Sequence, residues 1–202
     1  MRFGFLPLVL VFCGCASFHE TSSKSPAQSN AQASTRNSPH QVTPLQNTYG
    51  YALLSELLGD EKNVSKLLII KRERPELRDL IRDISQRCGQ AHEELERFAK
   101  ADRGLNLKTN GLPAVEIGTR DAIGKTKAKQ LLTESGKEFE LRLLIAQHEA
   151  LTYGSHLAAT ITKAETNAQR VQFLRRLSSD LEVLENRVTS LLLASYNFPA
   201  PR

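Results

Sequence analysis

The most constraining feature of the chain is a set of apolar residues that recur at alternating intervals of four and three. The clearest run begins just after Pro75, ends before Gly104 and consists of Leu77, Ile81, Ile84, Cys88, Ala91, Leu95 and Phe98. This spacing places all of these side chains on one face of an α-helix, and it is incompatible with the two-residue period of a strand. The segment is therefore predicted to be a long helix with one buried face.

Three further segments carry long stripes of the same kind. The first covers about residues 49–68 and is predicted to be interrupted at Gly59-Asp60. The other two consist of Phe139, Leu143, Ala146, Ala150, Tyr153 and Leu157, and of Leu174, Leu177, Leu181, Leu184, Val188 and Leu191. A weaker pattern predicts an extra short helix from Arg120 to Leu132, after a loop from Leu105 to Gly118. Four long stripes joined by short or medium connections predict an all-α helical bundle with near-coiled-coil packing angles.

The start of the chain has a different character. Arg2 and the free amine are positively charged, and the apolar segment from Phe3 to Phe12 is too short to span a bilayer. Gly14-Cys15 then follows, and a Cys directly after a small residue at this place resembles the lipobox of bacterial lipoproteins. In that family the chain is cut before the Cys and its thiol is acylated, so Cys15 is the predicted lipidation site. The alternative is ordinary secretion, with cleavage a residue or two later.

Composition divides the rest of the chain. Residues 16–47 are rich in Ser, Thr, Gln, Asn, Ala and Pro and contain few large apolar side chains, so they cannot bury enough surface to offset the entropy of ordering. We therefore predict a signal peptide over 1–14, a disordered tether over 15–47, the helical bundle over 48–196 and a frayed tail over 197–202. A tether of this length has a root-mean-square reach of roughly 30 Å.

Charge and cysteine content limit the classes of partner. The formal net charge is +5, and loss of Arg2 with the signal peptide leaves about +4. Such a mildly basic chain favours anionic surfaces, but it has no dense Lys/Arg block interleaved with aromatic residues, so nucleic acid is not a predicted partner. Removal of Cys13 and lipidation of Cys15 leave Cys88 as the remaining thiol, so the bundle has to be stable without an intramolecular disulfide.

About residues 50–194 resemble the exported ferritin-like bundles of domain-of-unknown-function family 4142. The segments that carry the resemblance are Glu76-Leu77-Arg78, His92-Glu93-Glu94-Leu95, Phe98-Ala99, Leu112-Pro113, Phe139-Glu140 and Gln147-His148-Glu149. The resemblance implies a ferritin-like four-helix bundle in the cell envelope, with no established activity. His148 matches a His of the family, whereas Cys88 stands where the family commonly has another His. A further His, often found on the final helix near Glu185-Asn186, is absent.

The histidines of the bundle decide whether a metal site is predicted. Di-iron chemistry in such a bundle requires Glu-x-x-His on two helices, and no Glu lies three residues before His92, His148 or His156. We therefore predict no bound metal and no cofactor. Cys88 and His92 lie four residues apart and could chelate one ion together with His148. The favoured interpretation of this set is a buried thiol beside histidines at the edge of the core.

Nucleophilic catalysis is not supported by the sequence either. Ser155 and His156 are adjacent, but neighbouring residues of a helix point about 100° apart and do not form a nucleophile and its base. There is also no Gly-x-Ser-x-Gly elbow in the chain. We predict that the protein is not an enzyme.

The sequence thus predicts an envelope lipoprotein whose soluble helical bundle has a non-catalytic binding or structural role. Ala16-Ser17 contains no acidic residue, which in the lipoproteins that the chain resembles often accompanies delivery to the outer membrane. The predicted partners are the membrane, through the N-terminal lipid, and an envelope protein or anionic polymer. The alternative is a metal-handling bundle that uses Cys88, His92 and His148.

Overall fold

The computed structural model describes residues 44–71 and 73–196, and within these ranges the chain is helical with no strand. The predicted signal peptide, the tether up to residue 43 and the tail from residue 197 lie outside the described residues. The elements are α1 Pro44–Glu61, a 3₁₀ helix Val64–Ile69, α2 Pro75–Ala101, α3 Ala114–Thr133, α4 Gly136–Ala164 and α5 Ala168–Tyr196. The all-α prediction is therefore confirmed.

The core lies between α1, α2, α4 and α5. The short connection between α4 and α5 makes these two helices antiparallel neighbours, and they share the most extensive interface of the bundle. α1 packs against both α2 and α4, and α2 also contacts α5. α3 packs on α4 at the periphery, and most of its side chains are exposed.

The stripe of α2 faces this core as the sequence predicts. Its side chains at Leu77, Ile81, Ile84, Cys88 and Leu95 are buried. Pro75 opens the helix, where its missing N–H leaves no hydrogen bond unmade, and Glu76 follows in the first turn, where a carboxylate favours the helix dipole.

The predicted interruption at Gly59-Asp60 is wrong. α1 continues through both residues to Glu61, and the chain turns at Lys62 and Asn63 before the 3₁₀ helix begins. A glycine within a helix costs about 1 kcal/mol relative to alanine, and the burial of neighbouring leucines offsets that cost here. The Asn63 side chain then caps the helix end, because its Nδ2 donates to the Gly59 carbonyl at 2.7 Å.

The predicted bounds of the extra helix are also wrong. α3 begins at Ala114 rather than after Gly118, and its 20 residues do not make a short helix. The amides of Glu116 and Ile117 donate to the Pro113 carbonyl at 2.9 and 3.1 Å, so the proline precedes the first turn directly. Gly118 lies within the helix with no neighbouring side chain, and it does not end the helix as the sequence pattern suggested.

α1 also begins earlier than the predicted bundle boundary at residue 48. Its first residue is Pro44, because proline has the backbone angle and the missing donor that suit a helix start. Tyr49, one turn later, packs against Gly111 of the connection between α2 and α3, where φ is +68°. A side chain at Gly111 would meet the Tyr49 ring at 2.3 Å, so this close approach requires glycine.

Candidate functional site

Cys88 lies in the core on the face of α2 that is directed at the end of α1. Burial, together with the negative charge of Glu61, holds the pKa of the Cys88 thiol well above its ordinary value. The group is therefore a protonated thiol at neutral pH. Because a metal binds the thiolate, an ion at this position would first have to displace a firmly held proton.

His92 lies one turn further along α2, in a shallow cleft of about 420 Å³ between α1 and the connection to α3. Its Nδ1 is 3.2 Å from the ammonium of Lys62, and since an ammonium only donates, Nδ1 is the acceptor. Burial and the charge of Lys62 lower the pKa of His92, which keeps the ring neutral. Its Nε2 then carries the proton and faces Gly59.

His148 is directed at α5 instead. Its Nδ1 lies 2.7 Å from Oε1 of Glu185 and 3.3 Å from the hydroxyl of Thr189. The Thr189 hydroxyl in turn donates to the same carboxylate at 2.8 Å.

The three candidate metal ligands consequently do not share a site. Cys88 and His92 face the α1 side of the bundle, and His148 contacts Glu185 and Thr189 of α5. Across residues 44–71 and 73–196, no group of three or more His, Cys, Asp and Glu side chains is arranged to hold a metal ion.

A buried polar pair that the sequence analysis missed lies beside Cys88. Glu61, the last residue of α1, is 2% exposed, and Gln147 of α4 is 1% exposed. The two side chains interact, yet Glu61 Oε2 and Gln147 Oε1 are buried and have no hydrogen-bond donor. Burial and, to a smaller extent, the negative charge of Asp60 raise the pKa of Glu61 to about 7, although the interaction with Gln147 lowers it.

A sequence signal for this pair exists. Leu54, Leu58 and Glu61 follow the four-and-three spacing of the apolar stripe, so Glu61 stands at a position where a leucine would be expected. Gln147 stands likewise between Leu143 and Ala150 on the stripe of α4. A polar residue at a core position of an otherwise apolar stripe is the informative exception.

A second, part-buried network, which we call the four-residue network, comprises Tyr51, Asp102, Glu165 and Arg170. The Tyr51 hydroxyl donates to Glu165 Oε2 at 2.6 Å, and Arg170 donates to both oxygens of Glu165 at 2.9 and 3.1 Å. Arg170 also donates to Asp102 Oδ2 at 2.7 Å. The network therefore joins α1, the end of α2, the α4–α5 connection and the start of α5.

The electrostatics of the four-residue network fix the charge of Glu165. Burial opposes ionisation, but the hydrogen bonds from Arg170 and Tyr51 outweigh it and lower the pKa of Glu165 to about 2. Burial and the hydrogen bond to Glu165 together raise the pKa of Tyr51, so its hydroxyl is a permanent donor. Glu165 and Arg170 thus form a part-buried ion pair at any ordinary pH.

A groove of about 360 Å³ separates α2 from α5 on the outer surface. Its floor is apolar and includes Leu181 and Leu184, while ion pairs cross between the two helices above it. Arg176 contacts Glu94 at 3.0 Å, and Arg187 pairs with Asp83. These charged bridges account for the looser contact of α2 with α5 than of α4 with α5.

None of the helices in the described part of the chain combines the length and the apolar character that crossing a membrane requires. Comparisons of the chain with protein-family models, with curated proteins and with solved structures find no match.

Proposed function

We propose that the protein is an envelope lipoprotein in which a lipid on Cys15 anchors a ferritin-like helical bundle through a flexible tether. The bundle has a non-catalytic binding or structural role, and the anchor holds it at the outer membrane facing the periplasm. An envelope protein or an anionic polymer is the class of partner that such a placement and a mature net charge of about +4 favour.

The four-residue network is the main support for a structural role. Tyr51 lies within two turns of the start of α1, which is where the tether would enter the bundle. A chain held by a lipid at one end transmits any pull to this region. The network fixes α1 there to three other segments through a part-buried ion pair and a buried hydroxyl.

The ferritin-like assignment is supported by the arrangement of the four core helices. α1 and the 3₁₀ helix together run antiparallel to α2, since Lys62 contacts His92 and Ser65 contacts Ser85 further back along α2. α4 and α5 form the second antiparallel pair, and α3 lies outside the core. The extra helix of the proposed architecture is therefore peripheral.

A non-catalytic role is supported by the contacts of the side chains that could have acted in catalysis or metal binding. The Cys88 thiol is buried and protonated, and the His92 ring accepts from Lys62. His148 is paired with Glu185. Packing and hydrogen bonding within the bundle account for each of these side chains without a metal or a substrate.

The lipid anchor is tested by the change Cys15→Ser. We expect the variant to lose its lipid and to move from the membrane fraction to the aqueous fraction, because the acylated thiol is the proposed anchor. The measurement is fractionation of cells that have been fed labelled fatty acid. Cys13→Ser is the matched control, since Cys13 would leave with the signal peptide, and this variant should remain lipidated and membrane-bound. Label on the Cys15→Ser protein would refute the anchor.

A further inference from the structure

We propose that Glu61 is a proton-binding site that controls how firmly the end of α1 is held on α4. With a proton on Oε2, the neutral carboxylic acid and the Gln147 amide form a pair joined by two hydrogen bonds. Loss of the proton breaks one of these bonds and loosens the junction between α1 and the 3₁₀ helix.

The unpaired oxygens of Glu61 and Gln147 are complementary once a proton is added. Oε2 of Glu61 and Oε1 of Gln147 are both buried acceptors without a partner, and the two side chains interact across the α1–α4 interface. An ionised carboxylate offers no donor to the remaining amide oxygen. A carboxylic acid supplies one at Oε2, and both buried acceptors are then satisfied, which buried polar atoms in folded proteins nearly always are.

The surroundings of Glu61 oppose a negative charge more strongly than the Gln147 amide favours it. Glu61 ends α1, where the helix dipole is negative, and the Asp60 carboxylate precedes it. From α2 it is faced by the Cys88 thiol, and from α4 by the uncharged Gln147. The nearest ammonium along the chain, that of Lys62, is engaged with His92.

The junction next to Glu61 has a separate attachment to α2. The Ser85 hydroxyl donates to the Lys62 carbonyl at 2.5 Å and also contacts the Ser65 hydroxyl at 2.9 Å. Ionisation of Glu61 therefore loosens the end of α1 from α4 while the turn remains tied to α2. Such local opening gives solvent access to the Cys88 thiol, which makes that thiol a probe of the opening.

The direction of the pH effect follows from the raised pKa. The pKa of Glu61 rises from 4.5 in the unfolded chain to about 7 in the bundle. Folding therefore takes up a proton between pH 4.5 and about pH 7. The stabilisation by neutral Glu61 is complete below pH 4.5 and is lost as the pH rises to about 7. Linkage then gives an increase of about 300-fold in the unfolding equilibrium constant across this range, relative to a chain that cannot ionise at this position.

The test compares the full-length wild type with Glu61→Gln, because glutamine is an uncharged isostere of the protonated acid. Denaturant unfolding from pH 4.5 to 8.5 should show the wild type losing stability relative to Glu61→Gln, with the loss ending near pH 7. Glu182→Gln is the matched control, because Glu182 is exposed on α5, and this variant should follow the wild type. Alkylation of Cys88, quantified on its own peptide by mass spectrometry, should accelerate above pH 7 more in wild type than in Glu61→Gln.

Parallel pH profiles of wild type and Glu61→Gln would overturn the proposal, and so would equal alkylation rates of Cys88 in the two proteins.

Gln147→Met provides a second variant that keeps Glu61 but removes its amide partner. The pH transition should then move upward, because the interaction that favours the anion is gone. A transition that stays at the wild-type pH would show that Gln147 is not the partner of Glu61.

Discussion

Leu181→Asp is expected to destabilise the bundle by at least about 4 kcal/mol, because it combines lost apolar burial with an unpaired carboxylate in the core. Leu181 is 1% exposed and lies in the middle of α5. It packs over Gly154 of α4, where an added Cβ would lie 3.0 Å from Leu181 Cδ1, so no space for hydration exists there. The measurement is the free energy of unfolding in denaturant.

Val183→Asp is the matched control for this change. Val183 is two residues away on the same helix but is 49% exposed, so the same new carboxylate remains in water. We expect its effect to be within about 0.5 kcal/mol. Equal losses of stability for the two variants would contradict the assignment of the buried face of α5.

Arg170→Ala is expected to cost about 2 kcal/mol, because removing one partner of a part-buried ion pair leaves the charge of Glu165 only partly compensated. The side chain of Glu165 is 4% exposed and would keep only the Tyr51 hydroxyl and its backbone donors. The side chain of Asp102 is 46% exposed, so its contact with Arg170 contributes little. Arg175→Ala, at an exposed position of α5, is the control and should be near neutral.

The acid dependence of stability gives this prediction a second measurement. The pKa of Glu165 is lowered from 4.5 to about 2, so its contribution is present above pH 4.5 and is lost as the pH falls toward 2. In Arg170→Ala much of this dependence should disappear, since the hydrogen bonds from Arg170 contribute most to the lowered value. An acid unfolding profile that matches the wild type would refute the role assigned to Arg170.

The sequence predicts the long core helices well, because each buried face repeats over several turns. The α2 stripe from Leu77 to Leu95 and the α5 stripe around Leu181 are both buried, and local periodicity alone is sufficient to locate them. The predicted start of α3 is wrong because Gly118 does not end the preceding loop but lies inside the helix. A glycine on an exposed helix surface costs only about 1 kcal/mol, which its neighbours can offset.

The buried polar groups could not be located in the same way. The partner of Glu165 is five residues along the chain, but Tyr51 and Asp102 are 114 and 63 residues away from it in sequence, and only the tertiary fold brings them together. Glu61 was missed for a different reason: the predicted interruption at Gly59-Asp60 leaves it outside the apolar stripe of the first helix. The four-and-three spacing from Leu54 and Leu58 places Glu61 on the apolar stripe, which indicates burial. Glu61 and Gln147 are both buried in the bundle.

We propose that the mature protein is a bundle anchored by a lipid on Cys15 and that it has no functional metal. Native mass spectrometry of untagged protein, extracted from membranes, reports both properties in one spectrum. We expect a chain that begins at Cys15, carries a covalent lipid and binds no stoichiometric metal. A chain that begins elsewhere or lacks the lipid would contradict the anchor. One zinc or iron per chain, lost in Cys88→Ala and His92→Ala, would contradict the proposed role and favour metal handling.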